Sequence, residues 1–341
     1  MKHHIYHHTL PVTLESGIVL PEVFIQYSTL GERNKNEDNI IWICHALTAN
    51  SDAENWWPGL VGSGYLYNPE EHFIICANVL SSCYGTTGPT ETDPTTNKPY
   101  FLTFPVVTIR DMVMIHDLLR IHLSISKIQT LIGGSLGGQQ ALEWSIQKPS
   151  LFEYLILLST NAFHSPWGIA FNESQRMAIG MDPTWKNPAL DAGREGLKTA
   201  RAIAMLSYRS YETYVQTQSE EDSSRTDDYK AITYQHYQGD KLVKRFNCHS
   251  YWYLSKAMDS HHIGRKRESI YAALGSIKAR TLVIGISTDI LFPVCEQEFL
   301  AKHITNAEYI CIDSLYGHDG FLTEVEKIGP AIKQFYNKIN P

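Results

Sequence analysis

Leu131-Ile132-Gly133-Gly134-Ser135-Leu136-Gly137-Gly138 is the stretch that decides how this chain folds. Apolar and β-branched residues lead into it from Ile128, and a helix-forming run, Gln139-Gln140-Ala141-Leu142-Glu143-Trp144, leads out. A strand before and a helix after make Gly133-x-Ser135-x-Gly137 a sharp turn that projects a serine hydroxyl from the edge of a sheet. Glycines on either side leave room for the helix and strand to approach closely. The plain alternative is a glycine-rich turn with an incidental serine. The flanking elements favour a nucleophile.

Working outward, strand-like runs recur at Val23–Tyr27, Asn39–Cys44, His72–Ala77, Gln129–Gly133 and Tyr154–Leu158. Thr108–His122 carries Met112, Ile115, Leu118 and Leu119 at helical spacing. The pattern returns late in the chain, with strands at Thr281–Ile286 and Tyr309–Ile312 and helices at about Cys295–His303 and Glu324–Asn337. Strands alternating with helices predict an α/β fold, a mostly parallel central sheet flanked by helices. From about Ser165 to Ser260 the texture changes to helical stretches (Glu173–Ile179, Ala192–Leu206, Tyr211–Gln218), an acidic loop around Glu220–Asp228, and aromatics such as Tyr251, Trp252 and Tyr253. This predicts a sheet core over 1–164 and 263–341, interrupted by a helical lid over 165–262.

A hydrophobic content of 43% across 341 residues is ample for such a core. A net charge of −7 offers no basic stripe for nucleic acid, and no apolar run is long enough to span a bilayer. The polar, His-rich start is not a signal peptide, so a cytoplasmic protein is expected. The six cysteines form no C-x-x-C pair, and Cys44, Cys76 and Cys311 lie in apolar runs, which predicts buried free thiols. His3, His4, His7 and His8 lack Cys or carboxylate companions, so a polar first strand or frayed end is expected rather than a metal site. Asn172-Glu173-Ser174 fits a glycosylation sequon that matters only in the secretory path.

A serine hydroxyl is a poor nucleophile at neutral pH and needs a histidine base oriented by a carboxylate. Asp289 follows the Thr281–Ile286 strand, and His318 follows the strand ending at Ile312, so Ser135, Asp289 and His318 run in the order this architecture uses. His303 on a helix and Asp313 at a strand end are rivals with less suitable positions. The oxyanion of a tetrahedral intermediate needs two backbone N–H donors. Leu136, after the nucleophile, supplies one, and Leu47, after the Asn39–Cys44 strand, is expected to supply the other.

The chain also resembles the homoserine O-acyltransferase family, the MetX-like branch of the α/β-hydrolases, nearly end to end. The residues that carry the resemblance include His45-Ala46-Leu47-Thr48, Gly85-Thr86-Thr87-Gly88-Pro89, Phe104–Val113, Gly133–Gly138, Ser207-Tyr208-Arg209-Ser210 and Gly317-His318-Asp319-Gly320-Phe321-Leu322. Two positions depart from it: Leu136 stands where Met is usual, and Ser81 where Gly is usual. The resemblance implies acetyl transfer from acetyl-CoA to L-homoserine through an acyl-Ser135 intermediate, in methionine biosynthesis. It implies a homodimer, with acetyl-CoA as co-substrate, no bound cofactor and no metal. Arg201, Tyr208 and Asp319 match the family's amino-acid-binding positions. Their chemistry suits that role, because a zwitterionic acceptor needs a cation for its carboxylate and an anion for its ammonium; Arg209 and Arg176 are nearby rivals to Arg201. Serine as acceptor, succinyl-CoA as donor, and plain ester hydrolysis remain open, as does a binding module on an inactive scaffold.

Overall fold

The structure is a computed structural model and describes residues 1–338. Its main sheet has eight strands: β1 (Lys2–His8), β2 (Val23–Leu30), β3 (Ile40–Cys44), β4 (Phe73–Ala77), β5 (Ile128–Gly134), β6 (Phe152–Leu158), β7 (Arg280–Ile286) and β8 (Ala307–Ile312). They lie side by side in the order β1-β2-β4-β3-β5-β6-β7-β8. β1 and β2 pair antiparallel, as do β2 and β4, and every other neighbouring pair is parallel. β3 is buried at all five positions, as expected of a parallel strand covered on both faces.

The principal helices are α1 (Ile109–His122), α2 (Leu136–Gln147), α3 (Pro166–Gly180), α4 (Arg194–Tyr208), α5 (Tyr211–Gln218), α6 (Lys230–Val243), α7 (Cys248–Asp259), α8 (Val294–His303) and α9 (Val325–Asn337). α1 begins at a capping box in which Thr108 and Asp111 satisfy each other's backbone N–H groups. α3 to α7 all fall between β6 and β7, where the chain leaves the sheet.

α3 starts seven residues before the expected Glu173, because Ser165 caps it and Pro166 occupies its first turn. α6 and α7 have no counterpart among the expected elements. α7 is buried at nine positions, which leaves little apolar periodicity to read. Cys311 corrects the expectation of a buried thiol. Its strand, β8, ends the sheet, and the residue is exposed. The N-terminal histidines form strand β1: His3 Nδ1 pairs with Ser28 Oγ at 2.9 Å, and His7 Nε2 with Glu22 at 2.8 Å. Asn172 is buried among His164, Ser255 and Asp259, so its amide is closed to modification in the folded chain.

Candidate active site

β5 ends at Gly134 and α2 begins at Leu136, leaving Ser135 alone at the bend with φ 56° and ψ −126°. Such a conformation costs about 1–3 kcal/mol and survives only where its surroundings enforce it. Ser135 N–H donates to the Leu158 carbonyl (3.0 Å), and Thr160 Oγ1 donates to the Ser135 carbonyl (2.9 Å). The close approach also explains the glycines. A Cβ on Gly137 would lie 2.0 Å from the Cys44 carbonyl oxygen, and one on Gly133 would lie 2.2 Å from that of Gly137.

The loops after β7 and β8 bring two more groups to this bend. His318 Nε2 lies 2.9 Å from Ser135 Oγ, and His318 Nδ1 lies 2.7 Å from Asp289 Oδ2. The other Asp289 oxygen accepts the backbone N–H groups of Leu291 and Phe292, both at 2.9 Å, so the carboxylate cannot turn away. Phe292 stacks on the His318 ring at 5.0 Å, and Phe321 meets it edge-on at 5.3 Å. All three polar residues are at most 5% exposed. Oγ is thereby placed to lose its proton to an imidazole whose orientation and tautomer a buried carboxylate holds. The rivals lie outside this chain of bonds. His303 bonds the Phe299 carbonyl, and Asp313 accepts from Ser287.

The loop after β3 faces the serine from the other side. His45 is fully buried, and burial pushes its imidazole down to about 4, so it is neutral. Its Nε2 accepts the Val79 N–H at 3.1 Å, and its Nδ1 donates to the Ala46 carbonyl at 2.9 Å. Gln140 of α2 reaches both the His45 and Leu136 carbonyls. Among the described residues no acceptor is paired with the N–H of Leu47 or Leu136, as a pair of donors awaiting an oxyanion requires.

A cavity of about 490 Å³ opens over Ser135 and His318, and Arg201, Tyr208 and Asp319 also line it. The Arg201 guanidinium lies 5.2 Å from the centre of the Tyr208 ring, one helical face carrying both. Asp319 is ion-paired with Arg209 at 3.1 Å. Of the two rivals to Arg201, Arg209 therefore serves Asp319, and Arg176, itself buried on α3, is consumed by the exposed Glu173 and by Asp259 of α7.

Sequence reading missed Arg245, which lines the same cavity. It donates to the Thr48 carbonyl, to Thr48 Oγ1 at 3.3 Å and to Tyr84 Oη at 3.0 Å. It also missed Glu296, whose carboxylate accepts from Asn161 at 2.9 Å beside the Asp289 loop. No spacing rule points to either, because both depend on partners more than a hundred residues away.

The strand order and the serine–histidine–aspartate geometry are those of an α/β hydrolase, and the family model described as alpha/beta hydrolase fold matches residues 39–325. The homoserine O-acetyltransferase of Cyclobacterium marinum is 49% identical over 329 residues, 96% of this chain and 93% of that protein. The chain belongs to the homoserine O-acetyltransferase family. Among solved structures, the homoserine O-acetyltransferase of Staphylococcus aureus is 27% identical with a TM-score of 0.82, covering 98% of this chain and 96% of that one. A solved esterase is comparably similar, 25% identical with a TM-score of 0.89 over 98% of this chain and 99% of its own.

Proposed function

We propose that this protein transfers the acetyl group of acetyl-CoA to the side-chain hydroxyl of L-homoserine through an acyl-Ser135 intermediate. Ser135 Oγ attacks the thioester carbonyl while its proton passes to His318 Nε2, and the Leu47 and Leu136 N–H groups hold the oxyanion. The C–S bond breaks, and the coenzyme thiol leaves with the proton from His318. In the second half-reaction His318 takes the homoserine hydroxyl proton as that oxygen attacks the acyl carbon. Collapse returns the proton to Ser135 Oγ and releases O-acetylhomoserine. Asp289 keeps His318 in the tautomer both steps need.

The observation that carries the reading is a cation and a carboxylate, Arg201 and Asp319, in the cavity that opens on Ser135. A plain ester needs neither, whereas a zwitterionic acceptor needs both. On this reading 165–262 is a lid, inserted into a core of 1–164 and 263–341, that carries the acceptor's carboxylate partner. The enzyme is a cytoplasmic homodimer of methionine biosynthesis, with acetyl-CoA as co-substrate and no resident cofactor or metal. Exposed Met177, Met181, Leu206 and Val215 on the inserted helices and their ends suit a subunit contact. Among the described residues no helix is long and apolar enough to cross a membrane.

The test is coenzyme release from acetyl-CoA and succinyl-CoA, each with homoserine and with serine. The acetyl-CoA and homoserine pair should be fastest. Faster cleavage of simple esters than acetylation of homoserine would assign the chain to hydrolysis, and a faster pair of other substrates would reassign donor or acceptor.

A further inference from the structure

Arg201 is not the only cation in the cavity. Lys241, near the end of α6, and Arg245, just beyond it, line it too. Among the described residues no carboxylate lies within 4.0 Å of Lys241 or Arg245. Their neighbours differ: Lys198, on α4, is paired with both Glu195 and Asp240. The chain as a whole is acidic, with a net charge of −7, so unpartnered cations gathered at one opening are not the overflow of a basic surface.

The acceptor explains one of these charges. Homoserine has a single carboxylate, which Arg201 with Tyr208 is placed to meet, leaving Lys241 and Arg245 without an anion. Arg245 also borders a second cavity of about 320 Å³, where the single carboxylate, Asp191, is outnumbered by Arg194 and Lys244. These two likewise have no carboxylate within ion-pairing distance among the described residues. A cationic strip thus runs from the cavity over the serine into the second cavity.

We infer that Lys241 and Arg245 form a phosphate subsite for the acyl donor, receiving the diphosphate of a coenzyme A thioester whose acyl end reaches Ser135. This rests on the function proposed above and adds the place where the donor's charge is read. A guanidinium and an ammonium without acidic partners are free to meet phosphate oxygens, the first through a planar fork and the second as a point charge. Arg245 has a second effect. Because it also holds Thr48, next to Leu47, a donor that engages Arg245 steadies the loop expected to carry an oxyanion donor.

The test compares coenzyme A binding by calorimetry with turnover of acetyl-CoA and of S-acetylpantetheine, which lacks the phosphates. The proteins are wild type, Lys241→Gln, Arg245→Gln and Arg245→Lys. Each Gln variant should weaken coenzyme A binding about tenfold. The preference in kcat/KM for acetyl-CoA over S-acetylpantetheine should fall by a similar factor, and Arg245→Lys should restore most of it. Raising salt should weaken binding to wild type more than to the Gln variants.

Equal losses with both donors would overturn the subsite and leave Arg245 as a prop for Thr48 alone. Coenzyme A bound as tightly by both Gln variants as by wild type would also overturn it, even if homoserine is acetylated. No coenzyme A binding to wild type would overturn the subsite and the donor assignment together. Charge-dependent binding without acetylation of homoserine would sustain the subsite and remove the acceptor assignment.

Discussion

The site is built from two regions held in different ways. The sheet-borne half, Ser135, His318 and Asp289, is buried, and its polar groups are fixed by hydrogen bonds from three strand-end loops. The half borne by the inserted helices, Arg201, Tyr208, Lys241 and Arg245, lines the cavity with cations that have no acidic partner. A group already satisfied needs only a reacting atom, whereas an unpaired cation is incomplete until an anion arrives. The solved esterase shares the overall fold closely, so the sheet frame alone does not distinguish hydrolysis from transfer. On this view the first half does chemistry on any acyl group, and the second decides which molecules bring it and take it away.

The largest expected effect breaks the first half. Ser135→Ala should lower turnover about 10³–10⁶-fold, and Asp289→Asn about 10⁴-fold, on acetyl-CoA and on a simple acetyl ester alike. Rapid-quench intact mass spectrometry should show an acetyl adduct on wild type with acetyl-CoA alone and none on Ser135→Ala. Sequential kinetics with no adduct on wild type would show that no acyl-Ser135 forms. The second region is tested by Arg201→Ala. Leaving the acceptor's carboxylate unpaired in a desolvated site costs about 2–5 kcal/mol, so kcat/KM for homoserine should fall by about 30-fold to 5,000-fold. The burst of coenzyme release should change far less. If both half-reactions slow equally, the division between the regions fails and Arg201 supports folding or donor binding instead.

The same division separates what could be read before the structure from what could not. The bend at Ser135 announces itself because strand, glycine pair and helix must be adjacent in sequence. Asp289 and His318 are found because each follows a strand within a few residues. The chemistry of Arg201 and Asp319 suits an amino acid, but preferring Arg201 to Arg209 and Arg176 rests on family resemblance. The structure adds what the rivals do: Arg209 holds Asp319, and Arg176 is locked into Glu173 and Asp259. Arg245 reaches Thr48 across nearly two hundred residues, and nothing local encodes such a contact. α7 escaped notice because a helix buried on most sides loses its apolar stripe, and Cys311 was misplaced because strand composition does not reveal which strand ends the sheet.

A smaller effect probes the rigidity of the sheet-borne half. Burial, assisted by the charge of Asp289, raises the Glu296 carboxyl to about 7, although Asn161, Ser165 and His318 pull it down. With the folded value above the unfolded 4.5, the fold holds the proton more tightly than the unfolded chain does. Stability contributed by this group therefore falls as pH rises from about 4.5 to 7, and the penalty is complete above that window. Glu296→Gln removes it and should be more stable than wild type at pH 8 by about 1–3 kcal/mol relative to their difference at pH 5. Urea unfolding at the two pH values measures this. A difference that does not change with pH would mean that Glu296 is ionised throughout and that this side of the triad is open to water.

The smallest effect concerns strain beside the site that serves neither half. Ser81 has φ 79°, a left-handed conformation, and its N–H donates to the Thr87 carbonyl at 2.9 Å, so the backbone cannot relax. Its buried hydroxyl finds no partner among the described residues. The family's usual glycine at this position now has a physical reason. An L-residue in this region costs about 1–2 kcal/mol, and an unsatisfied buried hydroxyl adds about 1–3. Against this, glycine loses about 0.5–1 kcal/mol of extra backbone entropy on folding. With both costs at their low end and the glycine term at its high end, Ser81→Gly should stabilise the protein by about 1 kcal/mol, a rise in melting temperature of about 1–2 °C for a chain of this length. Ser81→Ala separates the two causes, since it removes the hydroxyl but keeps the strained φ. If Ala stabilises as much as Gly, the unpaired hydroxyl is the whole cost. If only Gly does, the backbone is. If neither does, the strain at Ser81 is repaid by its surroundings, as it is at Ser135, and the loop would join the sheet-borne half as a region whose conformation is held for use.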